Sequence, residues 1–405
     1  MSNHPHSNLQ SEKPSQMMKL QQHWHMATAS DMVTQRNFQE TWPMANRPYI
    51  MLGIESSCDE TAAAIIGSNK AIYANEIASQ MAQHAQYGGV VPEVAARAHL
   101  EAIDVVIDRA LKKAEFTIAD IDAFAATAGP GLIGGVAVGT VTAKAIAAAR
   151  QRPYYAVNHL EGHALSARLT DTIDFPYLLL LVSGGHTQLL AVAGPGRYHR
   201  YGTTMDDAAG EAFDKCAKIM GLGYPGGPAI EKAARQGNAG AIPLPRPLEG
   251  ADHCHFSFSG LKTALANKLK QLGGPEQAPL HDLAASLQAA IADCLANRSH
   301  IAMRQFTTDY LFNSPDTQPA LVIAGGVAAN KYIYARLADT AAKNGFRLSV
   351  PPAALCTDNA AMIAWAALER HRQNASDSDD FDFAPRPRWP LDSHASPPPG
   401  CGVRT

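Results

Sequence analysis

Two histidines four residues apart, in His159-Leu-Glu-Gly-His163, are residue types suited to metal chemistry. On a helix this spacing places both imidazoles on one face, where their ring nitrogens can bind a divalent metal. From the spacing alone, a pair of surface or capping histidines is an equally good interpretation. Asp358 lies at the predicted start of the last helix. It is either an ordinary carboxylate in the first turn of that helix or a third metal ligand. Together the three would form a two-histidine, one-carboxylate site that suits iron(II) or zinc.

The same run argues against one class of metalloenzyme. Peptidases with an H-E-x-x-H motif need a glutamate directly after the first histidine, because that carboxylate acts as the general base. Leu160 occupies this position, and Glu161 follows one residue late. Peptidase chemistry of this class is therefore not predicted.

Turns rich in glycine follow several predicted strands. Ser183-Gly184-Gly185 follows an apolar strand, and Gly325-Gly326 precedes a helix that is predicted to begin near Asn330. Backbone N–H groups in such turns approach phosphate closely, because glycine adds no side chain. Each turn alone is more typical of a tight turn without a ligand. Three in one chain, with the turn inside residues 52–61, favour a nucleotide-binding cleft.

Acidic residues are concentrated on and beside a helix predicted over residues 207–220. Their spacing is typical of a solvated, charged helix face. As an alternative function, Asp214 and Glu231 would accept hydrogen bonds from ribose hydroxyls.

Strands alternate with helices, so the predicted fold class is α/β. Strands are predicted at 49–54, 61–66, 121–127, 177–182 and 321–324, and helices at 93–113, 280–312, 331–344 and 357–372. The passages 52–61 and 181–188 resemble each other, because each has an apolar strand, a turn of small residues and a return strand. This similarity predicts two related lobes that share a cleft.

The composition limits the classes of function. The chain has 405 residues, 46% hydrophobic and 18% charged, with a net charge of -3, so there is no overall basic field for nucleic acid. Its six cysteines form no C-x-x-C pair and are interpreted as reduced thiols. No stretch is typical of a transmembrane helix or a signal peptide.

The two ends of the chain differ from the folded part. Residues 1–48 are polar and are expected to be a disordered extension or the product of a wrongly chosen start codon, and their histidines are expected to be solvated. The chain after Gln373 is acidic and then rich in proline, which predicts a loose tail over residues 376–405.

Residues 49–372 resemble the tRNA threonylcarbamoyladenosine enzymes, the TsaD family of bacteria and Kae family of archaea and eukaryotes, formerly described as O-sialoglycoprotein endopeptidases. Nine motifs in the family's order make chance resemblance a poor explanation. The motifs occupy residues 53–61, 87–93, 158–163, 182–186, 210–214, 223–228, 256–262, 325–330 and 356–359.

The resemblance implies an actin-like ATPase (ASKHA) fold with two RNase-H-like lobes, the first formed by residues 49–155 plus 352–375 and the second by 156–351. It implies one divalent metal, Fe²⁺ in preference to Zn²⁺, and catalytic acidic residues in the first-lobe loop. The implied sites are, for the metal, His159, His163 and Asp358; for catalysis, Asp59 and Glu60; and for the substrate, Val182, Ser183, Gly184, Gly185, His186, Asp214, Gly227, Glu231 and Asn330.

The implied reaction is transfer of threonylcarbamoyl from threonylcarbamoyl-AMP to the exocyclic amine of adenosine 37 in a tRNA anticodon loop. The family implies a cytoplasmic enzyme with a TsaB-like paralogous dimerisation partner and a small TsaE-like P-loop ATPase. The helix over 93–113 is either the docking helix or an ordinary core helix. The alternatives are an ATPase or sugar-kinase-type phosphotransferase of the same fold, and a non-catalytic nucleotide-binding scaffold.

Overall fold

The computed structural model describes residues 47–85, 87, 89–310, 318–374 and 378–398. Most of the expected N-terminal extension, residues 1–46, lies outside the described residues together with its histidines. Residues 399–405 at the end of the expected tail lie outside them as well.

The first sheet contains five strands: β1 Ile50–Glu55, β2 Glu60–Gly67, β3 Ile72–Ser79, β4 Ala123–Gly129 and β5 Tyr154–Asn158. Their spatial order is β3-β2-β1-β4-β5. β1, β2 and β3 pair antiparallel, whereas β4 runs parallel to β1 and β5 parallel to β4. β1 and β4 are buried along their whole length, as is typical of strands covered on both faces.

The second sheet also contains five strands: β6 Tyr177–Val182, β7 Thr187–Gly194, β8 Arg197–Thr203, β9 Ala320–Ala324 and β10 Arg347–Ser349. β6, β7 and β8 pair antiparallel, β9 runs parallel to β6, and β10 parallel to β9. The order β8-β7-β6-β9-β10 therefore repeats the topology of the first sheet. This repeat confirms the prediction of an α/β fold with two related halves.

Eleven helices are described besides two short 3₁₀ turns at Ile118–Asp120 and Gly326–Ala329. The helices are α1 Met81–Ala85, α2 Pro92–Ala114, α3 Ile133–Arg150, α4 His159–Thr170, α5 Ala209–Met220, α6 Gly226–Ala234, α7 Ser259–Gln271, α8 Leu280–Tyr310, α9 Lys331–Lys343, α10 Ala353–Cys356 and α11 Ala360–Gln373. Within the described residues, none of these helices combines the length and the apolarity needed to cross a membrane.

Two helices begin later than predicted, and side-chain hydrogen bonds explain both differences. The predicted start at Asp207 is wrong because Asp206 lies in a turn, where its carboxylate accepts hydrogen bonds from Ser257, Phe258 and Ser259. The last helix begins at Ala360, because the Asn359 side chain accepts a hydrogen bond from Met362 N and caps the helix. Asp358 therefore precedes the helix rather than opening it.

A layer of two helices lies between the sheets and forms one core with both of them. α4 and α11 pack against residues of β1, β2 and β4 on one side and of β6, β7 and β9 on the other, with Trp365 buried among them. A buried ion pair joins the two helices, because Arg168 Nε lies 2.9 Å from Glu369 Oε1. The division of the chain into lobes at residue 156 stays a prediction.

The expectation of a loose tail is wrong for residues 378–398, which we call the C-terminal strap. The strap has no helix or strand, yet it is hydrogen-bonded to both sheets. Asp379 N donates to Tyr154 O at the edge of the first sheet, and the Asp392 side chain accepts from Arg200 N in β8. Between them, Arg386 N donates to Ala128 O, so backbone pairing rather than a periodic apolar pattern holds the segment.

Candidate functional site

The first part of the site is the N-terminus of α4. β5 ends at Asn158, whose side chain accepts a hydrogen bond from Leu160 N and caps the helix. The helix therefore begins at His159, and His163 lies one turn later on the same face. Both side chains are buried, and their ring centroids are 4.8 Å apart at 88°. The predicted helical arrangement of the two imidazoles is present.

Asp358 approaches both histidines from the loop before α11. Its Oδ1 lies 3.2 Å from His163 Nε2 and 3.5 Å from His159 Nε2. One ligand atom from each of the three residues lies within 4.8 Å of the others. The second ring nitrogen of His163, Nδ1, is buried without a hydrogen-bond partner in the described part of the chain. Two imidazoles and one carboxylate with converging nitrogens and oxygen fit a divalent metal.

The electrostatics of this cluster favour a cation. Burial alone would raise the pKa of Asp358, but His159 and His163 outweigh it and hold that pKa well below its usual range. Burial alone would lower the pKa of His159, but Asp358 and Glu55 outweigh it and raise the pKa to about 9. Positive charge between these groups is therefore stabilised by the protein.

The turn after β6 lies close to the cluster and exposes its backbone. Burial and the neighbouring His159 and His163 lower the pKa of His186 to about 4, so this ring is neutral at pH 7. Ser183 N donates to His186 O at 2.8 Å and closes the turn. A Cβ at Gly184 or at Gly185 would meet no atom within 4 Å, so a ligand could approach this backbone.

Close backbone packing joins this turn to two others. Gly325 has φ +98°, and a Cβ there would collide with the carbonyl oxygen of Val182 at the end of β6. Gly210, in the first turn of α5, approaches the same region, because a Cβ there would lie 2.6 Å from Ser183 O. Glycine is therefore required where the chain brings these turns together.

The remaining predicted substrate residues lie around the N-termini of α6 and α9. Asp214 Oδ1 accepts a hydrogen bond from Gly226 N at 2.7 Å, and burial raises the pKa of Asp214. Glu231 Oε1 accepts from Lys331 N at 3.1 Å, which joins the two helices. Asn330 caps α9 by accepting from Ile333 N and also donates to Gln288. Gly227 has open space where a Cβ would lie.

The predicted catalytic carboxylates come from the loop between β1 and β2. Burial, Asp59 and Asp358 together raise the pKa of Glu60 to about 9, so this carboxyl is protonated at neutral pH. Burial, Asp214 and Asp59 raise the pKa of Tyr224. Tyr224 therefore lies within electrostatic range of Asp214 and of the loop between β1 and β2.

Residues 71–365 match the sequence model of the family described as TsaD, tRNA N6-adenosine threonylcarbamoyltransferase. The chain belongs to this family. The tRNA N6-adenosine threonylcarbamoyltransferase of Brucella anthropi is 56% identical over 360 residues, which cover 87% of this chain and 98% of the relative. The protein of the same name from Brucella suis has the same identity and coverage.

Solved structures agree on the fold. HypF from T. kodakarensis is similar with a TM-score of 0.53 at 15% identity, over 81% of this chain and 48% of that chain. A full-length HypF in the phosphate- and nucleotide-bound form gives the same TM-score at 11% identity, over 82% of this chain and 48% of that chain. The similarity concerns the fold alone, and it confirms the predicted actin-like (ASKHA) class.

One buried residue of this TsaD-family chain was missed from the sequence. Glu55, the last residue of β1, is fully buried, and its Oε2 lies 3.0 Å from His159 Nδ1. Burial alone would raise the pKa of Glu55, but the attraction of His159 outweighs it and lowers that pKa. The available signal was a carboxylate that ends an apolar strand, but the sequence motif points to Asp59 and Glu60, four and five residues later.

Two neighbouring helices, α2 and α3, carry exposed aliphatic side chains, which we call the apolar patch. α2 buries one face, including His99 and Ile103, as the core-packing interpretation expects. Its other face leaves Leu100 64% exposed, and on α3 Val141 and Ile133 are 62% and 53% exposed. Exposed aliphatic side chains on neighbouring helices are typical of a protein interface.

Proposed function

We propose that the protein transfers threonylcarbamoyl from threonylcarbamoyl-AMP to the exocyclic amine of adenosine 37 in tRNAs that read codons beginning with adenine. A bond forms between that nitrogen and the carbamoyl carbon, the bond from this carbon to the phosphate oxygen breaks, and AMP leaves. The observation that carries the proposal is the meeting of His159, His163 and Asp358 beside an open glycine turn in a TsaD-family chain.

The glycine turn binds the phosphate in this proposal. The backbone from Val182 to Gly185 offers N–H groups to the phosphate or to the developing oxyanion, with neutral His186 beside it. Asp214 and Glu231 accept hydrogen bonds from the ribose hydroxyls, while Gly227 and Asn330 line the same end of the cleft. Because the adenosine amine is a poor nucleophile, holding it against the carbonyl carbon contributes more than acid–base strength.

His159, His163 and Asp358 hold one divalent metal, with iron(II) preferred to zinc. Two histidines and one carboxylate leave coordination positions open, as in many iron(II) sites. When bound, the ion supplies a Lewis acid and a template for the phosphate and carbonyl oxygens.

Asp59 or Glu60, the latter in its ionised form, accepts the proton that leaves the amine. The combined variant Asp59→Asn with Glu60→Gln is expected to slow transfer by at least about 100-fold, because neither amide accepts a proton. Single-turnover transfer at saturating donor and tRNA measures this rate. Glu276→Gln, an exposed residue outside the cleft, is the matched control and should keep the wild-type rate. Full turnover by the double variant would remove both residues from the step.

The partners in this proposal are tRNA, a TsaB-like paralogue and a small P-loop ATPase, in the cytoplasm. The net charge of -3 supports shared RNA binding, because the chain alone has no general attraction for phosphate. The apolar patch of Leu100, Ile133 and Val141 is the surface that we assign to the TsaB-like protein. Apolar contacts there would be buried in the complex.

The test of the function is transfer of labelled threonylcarbamoyl from its adenylate to unmodified tRNA, with the partner proteins added. We expect label in tRNA that has adenosine 37 and none in the same tRNA with guanosine at that position. Label without dependence on adenosine 37, or no label with metal-loaded protein, would contradict the proposal. ATP hydrolysis without tRNA would then favour an ATPase or kinase-type activity of the same fold.

A further inference from the structure

Glu55 lies behind His159, on the side of the ring that faces away from Asp358. Its Oε1 accepts a hydrogen bond from Ser57 N at 2.6 Å. Its Oε2 accepts from Thr127 Oγ1 at 2.5 Å and lies 3.0 Å from His159 Nδ1. Because both oxygens are held by fixed neighbours from β4 and from the loop after β1, the carboxylate has one defined orientation.

The charge of this carboxylate needs a partner, because an isolated charge is costly to bury. Glu55 is 0% exposed, and its hydrogen-bonding neighbours in the described residues are an amide, a hydroxyl and the His159 ring. Of these, only the ring can carry positive charge or transmit it from a cation. The imidazole thus lies between two carboxylates, with Glu55 at Nδ1 and Asp358 at Nε2.

We propose that Glu55 is a positioning residue that accepts the Nδ1–H of His159 and so directs the lone pair of Nε2 at a divalent cation shared with His163 and Asp358. The inference rests on the metal site of the proposed function. A carboxylate behind a metal-binding histidine fixes its tautomer and increases the basicity of the ligand nitrogen. Together, Glu55 and Asp358 also balance the two charges of the ion inside a buried site.

The two histidines differ in the hydrogen-bond partners of their Nδ1 atoms. His163 Nδ1 has no hydrogen-bond partner in the described part of the chain, so no carboxylate there fixes the position of the ring proton. Ser57 Oγ lies 3.2 Å from His159 Nδ1 and is a second acceptor for the same proton. The loss of the Glu55 charge should therefore act on the metal through His159, while the His163 ring keeps its place.

The test is Zn²⁺ affinity of Glu55→Gln, measured by competition with a chromogenic chelator. Ser57 N–H requires an acceptor, so the amide oxygen faces Ser57 and the NH₂ group faces His159. Opposite that NH₂ group the ring is favoured to accept at Nδ1 and to carry its proton on Nε2, where it blocks the metal. We expect affinity to fall about 10- to 100-fold, the usual effect of losing such a partner.

Thr127→Val is the matched control, because it removes another hydrogen bond from the same Oε2 of Glu55 and leaves His159 facing a carboxylate. It should lower the affinity for Zn²⁺ much less than Glu55→Gln does, even if it lowers the melting temperature. Equal affinity in wild type and Glu55→Gln, with a lower melting temperature in the latter, would overturn the proposal in favour of a purely structural role. Failure of the wild type to bind Zn²⁺ would contradict the metal site itself.

A measurement on wild type keeps the proposal testable if Glu55→Gln does not fold. In the ¹⁵N NMR spectrum of the Zn²⁺-loaded protein, the His159 ring, assigned by its loss in His159→Gln, should be protonated at Nδ1 and bind zinc through Nε2. Protonation at Nε2 with zinc on Nδ1 would overturn the proposal.

Discussion

Replacement of His163 with alanine or glutamine is expected to lower the rate of threonylcarbamoyl transfer by at least about 1000-fold. His163 is 1% exposed and its Nε2 lies 3.2 Å from Asp358, so its ring is held inside the cluster. A metal that acts as a Lewis acid contributes several kcal/mol to transition-state stabilisation, and each 1.4 kcal/mol is about tenfold in rate. The loss of a ligand removes most of this contribution.

The measurement combines transfer to unmodified tRNA with metal content per chain. We expect both to fall together in the two His163 variants, while circular dichroism shows an unchanged fold. His300→Ala is the control, because His300 is exposed and its ring is hydrogen-bonded to Asn344. Wild-type transfer by a His163 variant that has lost its metal would exclude the metal from the reaction and leave the glycine turn as the main source of catalysis.

The local elements of the site could be predicted because each depends on a short pattern. The apolar run Tyr177–Val182 is a strand with the predicted bounds, and the four-residue spacing places both histidines on one helical face. His163 and Asp358 are 195 positions apart in the sequence, so the spacing of residues could not predict whether their side chains make contact. It exists because α4 and α11 pack side by side between the two sheets, an outcome of the whole fold.

The predictions that failed concern residues whose partners are set by tertiary structure. Glu55 ends an apolar strand, and nothing local shows that its carboxylate faces a histidine of α4. Two helices begin later than predicted because the side chains of Asp206 and Asn359 accept hydrogen bonds from backbone N–H groups. A periodic apolar pattern carries no information about such bonds. The strap has no periodic apolar pattern because it is bound through its backbone. Its proline-rich composition is therefore a poor guide to whether it is ordered.

Termination of the chain after residue 377 removes the C-terminal strap. We expect it to lower the free energy of unfolding by at least about 4 kcal/mol, because several backbone hydrogen bonds are lost and each contributes about 1 kcal/mol net. Apolar contacts add to the loss, since Phe383 and Trp389 pack on the first-lobe core and Leu391 on the core between the sheets. Asn158, the cap of α4, also loses the carbonyl of Trp389.

The control is termination after Pro398, which leaves every described strap contact in place. Urea unfolding should show a lower midpoint only for the shorter chain, and Zn²⁺ affinity should fall with it because Asn158 precedes His159. A finer pair is Asp379→Ala against Asp380→Ala, since Asp379 accepts from Ala156 N and lies 3.1 Å from Arg370, whereas Asp380 is exposed. Equal midpoints for the two truncated chains would mean that the strap follows the fold without stabilising it.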